Sequence, residues 1–107
     1  MIIAVDFDGT LCEDIYPDIG CPNMWLIEQL KQFRAADEAN RLILWTCRAD
    51  EDLNRAVDWC ANYGLYFDAL NDNVIEHIQK YDFNTRKVFA DLYIDDKCID
   101  WRCYDNK

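Results

Sequence analysis

Three short stretches carry the residues that could do chemistry. They are Asp6-Phe7-Asp8-Gly9-Thr10, Thr46-Cys47-Arg48 and Asp95-Asp96. On an extended strand Asp6 and Asp8 point to the same side, with Phe7 opposite. Gly9 permits a sharp turn that brings both carboxylates to the mouth of a site. Four carboxylates brought close together do not all stay ionised without a counter-charge. A hard divalent cation supplies one. Mg²⁺ takes oxygen ligands, keeps several waters and bridges carboxylates to a substrate phosphate. The expected metal set is therefore Asp6, Asp8, Asp95 and Asp96, with Mg²⁺ as cofactor. The plain alternative, that DFDGT is only a strand end with a turn, leaves the other two polar stretches unexplained.

Convergence of these stretches depends on the elements that carry them. Ile2 to Phe7 is apolar with β-branched members and stops at Asp8-Gly9, which predicts a short buried strand and a tight turn. Leu11 to Asn23 holds both prolines, a glycine and several acids, and reads as an irregular excursion. A helix is expected from about Met24 to Ala39, with Leu26, Leu30 and Phe33 on one stripe. Arg41 to Thr46 reads as a second buried strand. Asp50 is placed to cap the next helix, with Glu51 and Asp52 in its first turn and Gly64 at its end. Leu53, Val57, Cys60 and Ala61 form its apolar face. Leu65 to Leu70 is a third strand, Val74 to Lys80 a short helix, and Val88 to Ile94 a fourth strand. Such alternation, with strands lacking strict polar alternation, predicts an α/β fold with a parallel sheet covered by helices on both faces. Ligands of such sheets bind at the carboxyl ends of the strands. The three polar stretches all fall at those ends.

The chain has 107 residues, enough for one domain (1–107) and too few for two. Hydrophobic residues make up 51%, which excludes a disordered tail. Acids outnumber bases 21 to 11, for a net charge of −10, and that field weighs against nucleic acid as a partner. The absence of a basic leader and of a long apolar run predicts a cytoplasmic chain with no membrane partner. Six cysteines occur without a C-x2-C pair and read as free thiols, a disulfide scaffold being the lesser reading.

VDFDGTL, LILWT and LYIDD, in that order, resemble the haloacid dehalogenase (HAD) superfamily of phosphohydrolases. YPDIG, LILWTCR, AVDWC and ADLYIDD look like its small capless bacterial and phage members. The resemblance covers nearly the whole chain. It implies a three-layer α/β/α Rossmann-like fold, a mainly parallel central sheet and no cap domain. It also implies a Mg²⁺-dependent phosphomonoester hydrolase acting on a small phosphorylated metabolite, such as a nucleotide or a sugar phosphate. Asp6 would be the nucleophile and Asp8 the general acid and base. Thr46 and a lysine would hold the transferring phosphoryl group. Mg²⁺ would lie on Asp6, the Asp8 carbonyl and the Asp95-Asp96 pair, with Asp96 as a direct ligand and Asp95 acting through water. Lys87, just before the fourth strand, fits the family's lysine, and Lys80 competes with it.

Other residues stay open or read as structural. Arg48 either binds the rest of an anionic substrate or pairs with an acid among Asp50 to Asp52. Asn71 and Asn73 suit turns. His77 has no second histidine and suits a half-buried or surface place. Trp25, Trp45, Trp59 and Trp101 are dispersed and need not form a platform. Cys47 lacks a histidine partner to activate it. The tail KCIDWRCYDNK departs from the glycine loop and helix of the close relatives, and an apolar patch left there would favour a homodimer. Three alternatives stand beside the hydrolase: a non-catalytic, metal-dependent phosphate-binding or regulatory module, a phosphatase acting on nucleic-acid ends, and a phosphotransferase.

Overall fold

The computed structural model describes residues 1–99. Cys103, Trp101 and most of the departing tail lie outside the described residues. The sheet has strands β1 (Ile2–Val5), β4 (Arg41–Leu44), β5 (Ala69–Leu70) and β6 (Leu92–Ile94), in the order β5-β4-β1-β6 and all parallel. The helices are α1 (Met24–Ala36), α2 (Asp50–Asn62) and α3 (Ile75–Tyr81). The result is a small mixed α/β domain.

Pleating sorts the core into two faces. Ile3, Val5, Leu42 and Leu44 join Leu26, Ile27 and Leu30 of α1 and Ala56 and Cys60 of α2 in the main cluster. Ala4 and Ile43, on the opposite face, join Val74, Val88 and Ala90 in a smaller one. Helix α3 has no buried residue, so the second face is covered chiefly by the chain around it. Asn23 caps α1, its side-chain oxygen accepting from the Leu26 N–H at 3.2 Å. Gly64, at φ +78°, follows the end of α2 in the left-handed region, as its position predicts.

Several expected boundaries move, each for a visible reason. The excursion at 11–23 is an antiparallel hairpin, β2 (Cys12–Ile15) and β3 (Asp18–Pro22). Asp50 does not cap α2. Ala49 takes that place without a side-chain bond, and Asp50 is the first helical residue. The third strand shrinks to Ala69–Leu70 because Asp68 serves the edge of β4 itself. Its carboxylate accepts from Leu42 N–H at 2.8 Å and its own N–H donates to Leu42 O at 2.8 Å. The fourth strand begins only at Leu92. Val88 to Ala90 are bonded to side chains instead, with Asn73 accepting from Phe89 N–H at 2.7 Å and the Tyr93 hydroxyl bridging Ala90 N–H and Val88 O.

Among the described residues no helix is long and apolar enough to cross a membrane. Cys12, Cys21, Cys47, Cys60 and Cys98 are free thiols.

Candidate functional site

Register decides which residues meet. Val5 lies level with Leu44 on one side and Ile94 on the other. The residues that follow these strands therefore emerge side by side at the carboxyl edge: Asp6 after β1, Thr46 after β4, Asp95 and Asp96 after β6. A cavity of about 520 Å³ opens there, between Asp6, Asp8, Thr46, Cys47, Arg48 and Asp95. The hairpin adds Asp14 and Tyr16 to its wall, and Lys97 adds a cation from the loop after β6.

Asp6, Asp95 and Asp96 each offer one carboxylate oxygen, all within 4.8 Å of one another. Asp6 is half-buried and accepts from the Thr10 hydroxyl at 3.2 Å. Burial above all raises its pKa from 3.8 to about 6, opposed by a backbone bond from Phe7 and reinforced by the Asp95 charge and the Asp96 contact. The all-oxygen set contains no histidine or cysteine, a donor chemistry that suits a hard cation. The Asp8 side chain stands outside this cluster.

Asp8 faces Arg48 instead. The guanidinium donates to both its carboxylate oxygens at 2.8 Å and to Asp18 O at 3.1 Å. It lies between the rings of Phe7 and Tyr16, 5.1 and 5.0 Å from their centroids. The Arg48 side chain is 1% exposed. Its ion pair is thus with Asp8, and not with an acid among Asp50 to Asp52. Of these, only the Asp52 carbonyl approaches it, at 3.4 Å. Arg48 is thus buried between two rings, bonded to Asp8, Asp18 O and Asp52 O, and still reaches the cavity wall.

Thr46 is set by a neighbour. Asn71, at φ +51°, accepts from Thr46 N–H at 2.8 Å and donates to Arg48 O at 3.2 Å. The Thr46 hydroxyl accepts from Arg48 N–H at 3.1 Å, which leaves its own proton to donate. Asn73 is buried and holds the 84–89 segment through Asn84, Thr85 and Phe89. Both asparagines therefore brace loops beyond their own turns.

The lysines fall differently from the expectation. Lys87 is exposed, its ammonium 5.4 Å from the Tyr93 ring centroid, and it does not line the cavity. Lys80 lines a separate cavity beside Ile2 and Arg41, at the amino end of the strands. Among the described residues Lys97 is the lysine in the cavity wall. Its N–H donates to Asp95 at 2.9 Å and its ammonium lies 3.0 Å from Asp96 Oδ2. That contact lowers the Asp96 pKa and raises that of Lys97. The sequence signal for Lys97 is its place directly after Asp95-Asp96, on the same loop. Asp14 and Tyr16 carried no such signal, because the hairpin holding them has no clear periodicity.

His77 is half-buried and stacks on Phe89 at 4.8 Å, while Trp25 is exposed and Trp59 packs edge-on against Phe7 at 5.5 Å.

No family model matches the sequence, and no curated protein compared with it matches. Among solved structures, the chain is similar to a conserved protein coded by a locus of Bacteroides thetaiotaomicron. Identity is 44% and the TM-score 0.78, over 97% of this chain and 85% of the other. At that identity and coverage, the chain belongs to the same family as the conserved Bacteroides thetaiotaomicron protein.

Proposed function

We propose that the protein is a capless HAD-type phosphatase of three-layer α/β/α architecture, hydrolysing small phosphorylated metabolites with Mg²⁺ through an aspartyl-phosphate. The observation that carries this reading is the grouping of Asp6, Asp95 and Asp96 within 4.8 Å at the mouth of one cavity, with Thr46 in its wall. Asp6, Asp95 and Asp96 would hold the ion, joined by the Asp8 carbonyl as the resemblance implies. When bound, Mg²⁺ would offset the carboxylate charge and that of a phosphate.

The remaining steps belong to the chain's own residues. An Asp6 oxygen attacks phosphorus as the bond to the leaving oxygen breaks, and Asp8 gives that oxygen a proton. Water then attacks the same phosphorus, Asp8 takes its proton, and the bond to Asp6 breaks. The Thr46 hydroxyl donates to the phosphoryl group. For the acid step Asp8 must leave Arg48 and take up a proton from solvent, which it then gives to the leaving oxygen. A net charge of −10 favours a small-molecule substrate over nucleic-acid ends.

One observation favours a second reading. Arg48 occupies both Asp8 oxygens. If that pair never opens, the site is a metal-dependent phosphate-binding module without turnover.

Phosphate release from a panel of phosphomonoesters, with Mg²⁺ and with chelator, separates the two. The hydrolase reading expects release that needs the metal and disappears in Asp6→Asn with the fold kept. Full activity in Asp6→Asn sinks the aspartyl-phosphate. Metal-dependent phosphate binding without release selects the module.

A further inference from the structure

Charge decides what can accompany a phosphate into this cavity. Among the described residues two cations border it, Arg48 and Lys97, against five carboxylates: Asp6, Asp8, Asp14 and Asp95 in the wall and Asp96 beside them. A divalent ion and a phosphate dianion cancel in charge, so the loaded site keeps a negative excess, even with Asp8 protonated. An alcohol part that carries a further anion is repelled there, and one that carries a cation is drawn in. Four of the carboxylates are engaged. Asp6, Asp95 and Asp96 form the acid cluster, and Asp8 takes both Arg48 bonds. Asp14 is the fifth. It is exposed on the hairpin, and among the described residues no lysine or arginine pairs with it. Its carboxylate accepts from the Tyr16 N–H at 3.3 Å, so the Tyr16 side chain stands next to it in the cavity wall. The Tyr16 hydroxyl donates to Asp52 at 2.9 Å, which steadies the ring, and 57% of the residue stays exposed. The ring already accepts one cation, the Arg48 guanidinium 5.0 Å from its centroid, whose charge Asp8 neutralises.

A carboxylate beside an aromatic ring is a receptor for an organic ammonium. The N–H groups donate to the carboxylate oxygens, and the positive charge rests on the ring. We propose that the alcohol part of the substrate carries a protonated amine held between Asp14 and Tyr16, so that the substrates of this site are phosphomonoesters of amino alcohols. The proposal rests on the phosphatase reading for turnover, while its binding test stands without that reading. Hydrolysis of such a substrate yields inorganic phosphate and the free amino alcohol. Specificity then comes from the hairpin, and the strand ends do the chemistry. Lys97 does not compete for Asp14, because its ammonium lies 3.0 Å from Asp96.

The test is phosphate release with Mg²⁺ from two matched pairs, 2-aminoethyl against propyl phosphate and 4-aminobutyl against pentyl phosphate. Within each pair an ammonium replaces a methyl group and nothing else changes. Wild type is expected to favour the amine of at least one pair about tenfold in kcat/KM, as a cation–π contact and an exposed ion pair together provide. Asp14→Asn should bring that ratio to about threefold or less, the ring contact alone remaining. Tyr16→Leu should also lower it, whereas Tyr16→Phe keeps the ring and should retain most of it. Each variant is checked for folding by circular dichroism. A purely structural role would move both members of a pair alike and leave the ratio where it was. Carboxymethyl phosphate, with an anion in place of the amine, should be the poorest substrate. Equal rates within both pairs, a ratio unmoved by Asp14→Asn, or a preference for carboxymethyl phosphate overturns the proposal and leaves the phosphatase standing. If wild type releases phosphate from no compound, the same pairs are compared as ligands by calorimetry with Mg²⁺. Tighter binding of an amine, lost in Asp14→Asn, keeps the ammonium site and removes the phosphatase. Equal binding within the pairs, or none, then overturns both.

Discussion

Asp6 is a half-buried carboxylate, and its environment makes it measurable. Its carboxyl holds a proton up to about pH 6 in the folded, ion-free protein, against 3.8 ordinarily. A raised carboxyl means that the native state binds the proton more tightly than the unfolded chain does. The favourable contribution is complete below about pH 4 and lost as pH rises through about 6. Asp6→Asn mimics the protonated form. Thermal melts without metal should therefore show the variant gaining on wild type as pH climbs through that window, with no gain below it. A constant difference at all pH values would contradict the shift. Arg48 gives a second prediction. Truncation to Ala leaves Asp8 unpaired beside a buried ring, and melts should lose about 2–3 kcal/mol, short of the ~3–5 of a fully buried pair because Asp8 keeps contact with the cavity. Which residues converge is legible in the sequence, since Asp6, Thr46 and Asp95 all end strands. Which acid Arg48 chooses is not. Asp8 lies 40 positions away, and only the turn after β1 brings it there.

At the scale of elements, the site depends on two connections more than on the strands. Gly9 sits at φ +85°, and a Cβ there would overlap the Asp96 carboxylate. Gly9→Ala should therefore weaken Mg²⁺ binding by calorimetry more than it lowers the melting temperature. Equal metal affinity in the two proteins would mean that Asp96 is free to move aside. Asn71 supports the opposite wall. Asn71→Gly keeps the left-handed backbone accessible but removes the bonds to Thr46 and Arg48. Phosphate release should fall at least about tenfold with a stability loss near 1 kcal/mol. The order of strands and helices is legible because each core strand is an apolar run and each long helix has a capping or stopping residue. The ends of β5 and β6 are not legible. Asp68, Asn73 and Tyr93 replace ladder bonds with side-chain bonds, and neither propensity nor periodicity registers such substitutions. The hairpin is missed for a related reason. It is held to α2 by polar contacts, Arg55 to Pro17 O at 2.8 Å and Tyr16 to Asp52 at 2.9 Å, with little apolar pattern of its own.

For the whole molecule, a bound cation should add to stability. At tenfold excess over its dissociation constant Mg²⁺ contributes about 1.4 kcal/mol by mass action. In a domain of this size that raises the melting temperature by roughly 6–11 °C. The rise should vanish in Asp96→Asn. An equal rise in that variant would place the ion elsewhere. The strand order carries a further consequence, for the time at which the site comes into being. β1 leaves the ribosome first, yet one of its two neighbours, β6, is the last strand described. Until Leu92–Ile94 has been synthesised, β1 has an open edge and Asp6 has neither Asp95 nor Asp96 beside it. The nascent chain thus carries Asp6 early, as a carboxylate without its acidic neighbours. Only the closing strand brings Asp95 and Asp96 beside it, so the acid cluster is assembled in one late event and not built up by degrees.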